Sequence, residues 1–323
     1  MAQQKVLLTR RWPEAVEARL GEVFDLTVNR ADKPLDGDQL RTALADYDAV
    51  LPTVTDRFSP QVFDVPKTRA KILGNYGVGF SHIDLGAATA SGITVTNTPD
   101  VLSECTADIA MTLMLMAARR AGEGERELRR GKWAGWRPTH MVGKKVSGAT
   151  LGIVGFGRIG QAMARRAHFG FGMKIVVVNV PAVAPEVLAE YGARQVDTLD
   201  ELLPQCDFVS LHCPGGAENH HLMNARRLGL MKPDAFLINT ARGEVVDQQA
   251  LAQALWFGTI GGAGLDVFEG EPIIPYELLG SDNLVMLPHL GSATRETREA
   301  MGFRVLDNLV DFFEGRDPRD RVN

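Results

Sequence analysis

Three polar residues follow three short apolar runs, and their types suit one chemistry. Arg242 stands in Asn239-Thr240-Ala241-Arg242-Gly243 after the run Ala235 to Asn239. Glu271 stands in Phe268-Glu269-Gly270-Glu271-Pro272 after Gly262 to Val267, and His289 in Pro288-His289-Leu290-Gly291-Ser292 after Leu284 to Leu287. Ligands of an open parallel α/β sheet bind beyond the carboxyl ends of its strands, so residues placed just after strands are expected to converge. A guanidinium fork can hold a carboxylate or carbonyl oxygen and stabilise negative charge as it develops. A protonated imidazole can give its proton to that oxygen while hydride reaches the carbon, and a neighbouring carboxylate would favour the imidazolium. Together they suit reduction of a 2-keto acid. Singly, Arg242 could be a surface ion-pair residue, Glu271 a solvated turn carboxylate and His289 a satisfied core histidine; their joint placement argues for a site.

The second feature is Gly155-Phe156-Gly157-Arg158-Ile159-Gly160, directly after the apolar run Leu151 to Val154 and opening a helix with Ala162, Met163 and Ala167. GxGxxG alone is weak evidence. Between strand and helix, each glycine has a mechanical part: a tight turn, close approach of backbone to a pyrophosphate, and close helix-on-strand packing, with the helix amino terminus facing the anion. About twenty residues on, where an acidic side chain binds the adenine ribose of NAD, the chain reads Asn179-Val180-Pro181. Neither an acid for NAD nor a base for the 2'-phosphate of NADP stands there. Asn179 can hydrogen-bond a ribose, and the reading is NAD(P)H with a lean to NAD.

Positioning these residues requires two α/β units. Short Val, Ile and Leu runs alternate with helical periodicity, as in parallel sheets covered by helices. The expected strands are Val6 to Thr9, Phe24 to Val28, Ala49 to Leu51, Ile72 to Asn75 and Ile93 to Thr96, with helices Gly37 to Leu44 and Leu85 to Ser91. A long helix from Ser103 to Arg120 follows, then a Gly, Arg and Trp-rich stretch from Gly122 to Lys145 that interrupts the α/β rhythm and reads as an arm or connection. Beyond it six strands are expected: Leu151 to Val154, Ile175 to Val178, Phe208 to Leu211, Ala235 to Asn239, Gly262 to Val267 and Leu284 to Leu287. Thr198 with Glu201 reads as a capping box, and Asp247 as a helix start. The last helix, from Arg295, carries Met301, Val305, Leu306, Leu309, Phe312 and Phe313 at helical spacing and is expected to pack back on the first domain. The expected fold is therefore two Rossmann-like doubly wound parallel-sheet domains with a cleft between them. Residues 1–99 plus 290–323 would form a discontinuous substrate-binding domain, and residues 100–289 the dinucleotide-binding domain.

Composition narrows the function. The 323 residues are 45% hydrophobic and 23% charged with a formal net charge of -5, which suits a soluble globular protein of about two domains. There is no basic run of the kind that follows a phosphate backbone, so no nucleic-acid partner is expected. The longest apolar stretch, Ile109 to Ala118, falls short of the ~20 residues a bilayer-spanning helix needs, so no membrane partner is expected. The region Met1 to Trp12 lacks a secretory apolar core. Cys105, Cys206 and Cys213 are odd in number and lack CxxC spacing, which fits a reducing cytoplasm. The histidines other than His289, namely His82, His140, His168, His212, His220 and His221, show neither an i, i+4 helical pair nor HExxH, so no metal is expected. Met111, Met114 and Met116 read as core filler.

The segments around Arg242, Glu271, His289 and the glycine turn resemble those of the D-isomer-specific 2-hydroxyacid dehydrogenase family. So do Gly74-Asn75-Tyr76-Gly77-Val78-Gly79, Asn97-Thr98-Pro99 and Thr106-Ala107-Asp108. Within it the chain looks most similar to glyoxylate and hydroxypyruvate reductases. The resemblance spans nearly the whole chain. It implies that Val54, Thr55, Gly77 and Val78 meet the substrate, with backbone amides near Val78 holding its carboxylate. It implies that Thr106, Arg158, Ile159, Cys213, Pro214, Thr240, Ala241, Asp266 and Gly291 line the cofactor beside Gly155, Gly157 and Gly160. It also implies a homodimer whose arm reaches toward the partner's active site, with Trp136 or His140 in the place where some relatives carry a pocket tryptophan. Similar reductases often carry an arginine where this chain has Val180-Pro181, which bears against NADP use.

The expected substrate is glyoxylate, hydroxypyruvate or a similarly small 2-keto acid, because Leu51 to Thr55 offers neither a large aromatic nor a basic cluster. Two alternatives stand beside it. One is a dehydrogenase of another D-2-hydroxyacid, such as lactate or phosphoglycerate, although the lack of an extra carboxyl-terminal regulatory domain argues mildly against a regulated phosphoglycerate enzyme. The other is a dinucleotide-sensing binding protein like the corepressors that share this fold; the short termini speak against it.

Overall fold

The computed structural model describes residues 3–323. Contacts divide them into two units, one running up to Leu102 and resuming at Ala293–Asn323, the other spanning Ser103–Ser292.

The first unit is built on a parallel five-stranded sheet. Its strands are β1 (Lys5–Leu8), β2 (Asp25–Val28), β3 (Ala49–Leu51), β4 (Ile72–Gly74) and β5 (Thr94–Thr96), in the order β2-β1-β3-β4-β5. Nearly every residue of β1 and all of β3 and β4 are buried, as expected of strands covered on both faces. The terminal helix Arg295–Phe313 belongs to this unit and buries Met301, Val305, Leu306 and Leu309. It packs closely: a Cβ at Gly302 would stand 2.5 Å from the Val16 side chain, and one at Gly74 2.6 Å from Val305.

The second unit carries seven parallel strands rather than six: β6 (Thr150–Val154), β7 (Lys174–Val178), β8 (Ala193–Gln195), β9 (Phe208–Leu211), β10 (Phe236–Asn239), β11 (Gly262–Leu265) and β12 (Leu284–Met286). Their order is β12-β11-β10-β9-β6-β7-β8. The additional strand, Ala-Arg-Gln, lies at the sheet edge with no fully buried residue, so it has no apolar signature to reveal it. Alternation along the strands sends Val209, Leu211 and Leu237 into one core and Phe208, Phe236 and Ile238 into the other. The helix Ser103–Ala118 fills the second core with Ala107, Ala110, Met111, Leu113 and Met114; Met116 is only half-buried.

The arm opens with a helix, Ala121–Arg129, that buries none of its residues and is held partly by the Arg120–Glu123 and Arg129–Glu125 pairs. It carries no apolar stripe, the signal that reading for core-facing periodicity needs. At residue 198 the Thr198 hydroxyl accepts the Glu201 N–H at 3.2 Å, but the Glu201 carboxylate accepts from Asp197 N–H, so the box does not close on Thr198. Asp247 caps Gln248–Trp256 as expected, accepting from Ala250 N–H. Among the described residues no helix is long and apolar enough to cross a membrane.

Asp48 ties the first sheet together. Its carboxylate accepts from Arg69 Nε and Nη2 at 2.9 and 2.8 Å and from Lys5 N–H at 2.8 Å, joining the starts of β1 and β3 to the segment before β4. The Arg69 hydrogen bonds, opposed by burial and aided by the Lys5 N–H, hold the carboxyl below its ordinary 3.8. A carboxyl with a depressed folded pKa stabilises above the unfolded value, and the contribution fades as pH falls through the folded one. Asp48→Asn should therefore cost about 1 kcal/mol at neutral pH, with the gap from the parent shrinking as pH drops below 3.8. Urea unfolding across pH measures it, and a gap that widens in acid would contradict the assignment.

Candidate active site

Arg242, Glu271 and His289 all lie in the second unit, each just past the carboxyl end of a strand: Arg242 after β10, Glu271 in the loop after β11, His289 after β12. The Glu271–His289 pair is formed directly, Nδ1 to Oε2 at 2.9 Å. A carboxylate only accepts, so Nδ1 carries a proton and Nε2 is the atom left for chemistry. The other Glu271 oxygen accepts Phe268 N–H at 2.8 Å, which fixes the carboxylate plane. Burial pushes the Glu271 carboxyl up, but the His289 hydrogen bond and charge, the Phe268 N–H and the Arg242 charge outweigh it and hold it below the ordinary range.

Arg242 is half-buried, and burial lowers its pKa against the charges of Glu244 and Glu271. An arginine stays protonated even so. Among the described residues no carboxylate lies within ion-pair distance of its guanidinium; Nη1 donates only to the Ala241 carbonyl, at 2.7 Å. Asn239, 1% exposed at the end of β10, sets this turn: its Nδ2 donates to Arg242 O and its Oδ1 accepts Ala241 N–H, both at 2.9 Å. The result is a partly desolvated cation with a free anion-binding face.

His289 sits at φ +56°, in the left-handed region that a histidine enters at some strain. Asp266, 1% exposed, holds it there. The Asp266 carbonyl accepts His289 N–H at 2.9 Å, and its carboxylate accepts Leu290 N–H at 2.6 Å and Gly291 N–H at 2.7 Å. Burial raises the Asp266 carboxyl against these two donors and the His289 charge. Thr106 Oγ1 donates to Gly291 O at 3.2 Å, so Thr106, Asp266 and Gly291 form one cluster.

The glycine turn follows its mechanical roles. Gly155 has φ +89°, and a Cβ there would stand 2.7 Å from Cys213 N, because β6 and β9 are neighbours at the point where the strand order reverses. At Gly160 a Cβ would stand 2.2 Å from Gly155 O, so the helix Arg158–Arg165 can start against the turn only with glycine there. Gly157 faces open space: nothing lies within 4 Å of a Cβ. No side chain caps this helix, so its first N–H groups face an exposed surface, as an anion site requires. Arg158 and Ile159 begin the helix; Cys213 and Pro214 follow β9, where burial pushes the Cys213 thiol up to about 11 and keeps it neutral. Ala241 is buried, and the buried Thr240 hydroxyl has no hydrogen-bond partner among the described residues. Asn179 uses both ends of its amide on the turn, accepting Phe156 N–H at 2.7 Å and donating to Pro181 O at 2.7 Å. These residues fit a dinucleotide.

In the first unit, Val54 and Thr55 are exposed beyond β3, and Gly77 and Val78 lie in the loop after β4. The loop's carbonyls are turned inward: Asn75 Nδ2 donates to Gly77 O and Gly79 O at 3.0 and 3.1 Å, and Asn97 Nδ2 to Val78 O at 2.9 Å. Among the described residues Val78 and Gly79 N–H have no acceptor, leaving a donor face. Both asparagines stand in segments that resemble the family's, but the sequence alone does not show this anchoring part. Nor does it place Arg10, whose Nη1 donates to Thr55 Oγ1 at 3.1 Å while Nε pairs with Asp32 at 2.9 Å. In the arm, Trp136 is 82% exposed and His140 Nε2 is bound to Glu127 at 3.1 Å.

Residues 6–167 match the family described as "D-isomer specific 2-hydroxyacid dehydrogenase, catalytic domain", and residues 111–291 its "NAD binding domain". Over 99% of this chain and 96% of the relative, the sequence is 46% identical to a glyoxylate reductase of Thermococcus onnurineus. A D-isomer specific 2-hydroxyacid dehydrogenase structure from Polaromonas, described as putative, superposes with a TM-score of 0.92 at 37% identity, covering 99% of this chain and all of that one. An NADPH-dependent glyoxylate/hydroxypyruvate reductase of Sinorhizobium meliloti, solved with NADP and malonate, gives 0.87 at 35%, covering 99% and 97%.

The contrast between two glycines is a test of the turn. Gly157→Ala adds a methyl where the protein has room, so thermal stability should stay within about 0.5 kcal/mol of the parent while NADH binds at least about tenfold more weakly. Gly160→Ala drives a methyl into Gly155 O and should unfold at lower temperature. Calorimetry and NADH fluorescence titration separate the two, and Gly157→Ala with undiminished NADH affinity would remove the pyrophosphate from this turn.

Proposed function

Because the chain belongs to the D-isomer specific 2-hydroxyacid dehydrogenase family, we propose that it reduces glyoxylate, hydroxypyruvate or a similarly small 2-keto acid to the D-2-hydroxy acid. The observation that carries this reading is the half-buried Arg242 cation, without a carboxylate of its own, whose charge acts on a formed Glu271–His289 pair. A reduced nicotinamide dinucleotide, its pyrophosphate held at the glycine turn, would supply the hydride.

The chain's own residues do the rest. Arg242 takes the substrate's carboxylate or carbonyl oxygen in its fork and stabilises the charge that gathers on that oxygen. His289 gives the Nε2 proton to the same oxygen and ends neutral, its Nδ1 proton still held by Glu271. Glu271 is thereby an orienting residue as well as a charge partner. The donor face at Val78 and Gly79 suits the substrate carboxylate, with Val54 and Thr55 shaping the space beside it. Small substrates fit a loop beside which the Arg10 cation is already paired with Asp32.

NADH is the favoured donor in this reading. Val180 and Pro181 follow β7 where an NADP enzyme wants a cation for the 2'-phosphate, and Val180 is 92% exposed with no charge to offer. We place the enzyme in the cytoplasm, consistent with three cysteines that form no disulfide. A homodimer is part of the same reading: Trp133, Trp136, Val142 and Trp256 expose apolar surface on the second unit that a second copy would cover.

His289→Gln should lower kcat by about two to four orders of magnitude while NADH still binds, the range a general acid contributes. Unchanged turnover would remove His289 from the reaction. Arg242→Ala should raise KM and lower kcat together, since its charge is used in both ground and transition states. A panel of 2-keto acids assayed with NADH and NADPH in parallel decides the substrate and donor. Highest kcat/KM for glyoxylate or hydroxypyruvate with NADH is expected, and no turnover of any 2-keto acid with either donor would end the reading.

A further inference from the structure

We propose that His220, His221 and Glu269 form a binding site for a divalent transition-metal ion of the Zn2+ type, separate from the residues assigned to the reaction. His220 and His221 lie in the segment after β9, Glu269 in the loop after β11 that also carries Glu271. His220 Nε2 stands 3.4 Å from Glu269 Oε1, and His221 Nε2 3.0 Å from Oε2. The imidazoles are stacked, centroids 3.9 Å apart and planes 25° from parallel, so both Nε2 atoms converge on one carboxylate. All three ligand atoms lie within 4.8 Å of one another.

The two histidine-to-carboxylate spacings are near those of a four-coordinate ion. Bonds of ~2.0–2.1 Å at tetrahedral angles place neighbouring ligand atoms about 3.3 Å apart, between the two distances observed. Two imidazoles and a carboxylate are a donor set that zinc takes, and the fourth position falls to water because the His220 side chain is 51% exposed.

The arrangement is held by the backbone. Consecutive side chains of an extended chain point to opposite sides, but His221 at φ +50° turns its ring to the side of His220. His221 N–H donates to Glu244 O at 2.8 Å, and the Glu269 carbonyl accepts from Gln248 Nε2 at 3.1 Å, so two donors start from anchored positions. Both Nε2 atoms now present their hydrogens to the carboxylate. When the ion binds, each neutral ring moves its one proton from Nε2 to Nδ1 through solvent, and the freed Nε2 lone pair takes the ion. Bound there, the ion ties the segment after β9 to the loop that holds Glu271, so it should raise the melting temperature by mass action.

The experiment uses the full chain freed of metal by chelation. Titration with Zn2+ by calorimetry should show one equivalent bound per chain with a rise in melting temperature, and Co2+ in its place should give the intense visible band of a four-coordinate site. Glu269→Gln, which keeps the side chain's shape, and His220→Ala, at an exposed position, should each weaken Zn2+ binding at least about tenfold, since even indirect metal contacts cost that much. His289→Gln should bind Zn2+ like the parent. No saturable uptake, uptake unaffected by Glu269→Gln and His220→Ala, or uptake lost in His289→Gln would each overturn the site. Matched melting temperatures of the metal-free variants exclude a folding defect, and keto-acid turnover is scored separately.

Discussion

The buried carboxylate of Asp266 is the constraint on which the site depends. Its two oxygens take the N–H groups of Leu290 and Gly291, and its carbonyl takes that of His289, so one residue at the end of β11 fixes three successive peptides after β12. The left-handed backbone of His289 would not persist without such a hold. Because β11 also leads into the loop that presents Glu271, the same strand places the imidazole and its carboxylate partner. The 2.9 Å bond between them follows from strand register rather than from a flexible search by two surface side chains. Leu290 to Ser292 consequently stay with the second unit, and the chain leaves for the first only at Ala293.

Each sheet repeats one principle at its own reversal of strand order. In the second unit the reversal lies between β6 and β9, and there Gly155 and Cys213 come so close that only a glycine fits. In the first it lies between β1 and β3, and there Arg10 after β1 meets Thr55 after β3. Strands diverging from such a point leave space at their carboxyl ends, and the backbone donors and side-chain charges gather there.

Much of this was legible because it is local. Strand runs of Val, Ile and Leu, a GxGxxG between strand and helix, and Arg242, Glu271 and His289 each just after a strand can be read without knowing the packing. What escaped is non-local or has no apolar signal. Asp266 reads as a cofactor residue until its bonds to a loop some two dozen positions later are seen. Asn75 and Asn97 act through side chains turned onto a loop's carbonyls, and Asn239 through its neighbours' backbone. β8 at the sheet edge has no fully buried residue and the mostly polar helix Ala121–Arg129 buries none, so a search for hydrophobic periodicity passes over both. His220 and His221 are adjacent in sequence, a spacing that no helical ligand pattern would select, and Glu269 joins them only through the fold.

The charges of the site divide into those satisfied by the protein and one that is not. Glu271 has an imidazole, a backbone donor and a nearby cation; Asp266 has two backbone donors and lies within reach of the His289 charge. Both carboxylates are thus compensated at the cost of their own burial. Arg242 has only the carbonyl of the preceding residue, and burial works against its charge. Removing a guanidinium from water without giving it a carboxylate is unfavourable by several kcal/mol for a fully buried ion, and less for a half-buried one. Asn239 locks the backbone of the turn from which the arginine side chain projects. A small carboxylic acid held there would supply the carboxylate that Arg242 lacks, so part of that desolvation cost would return as binding energy for an anion of the right size.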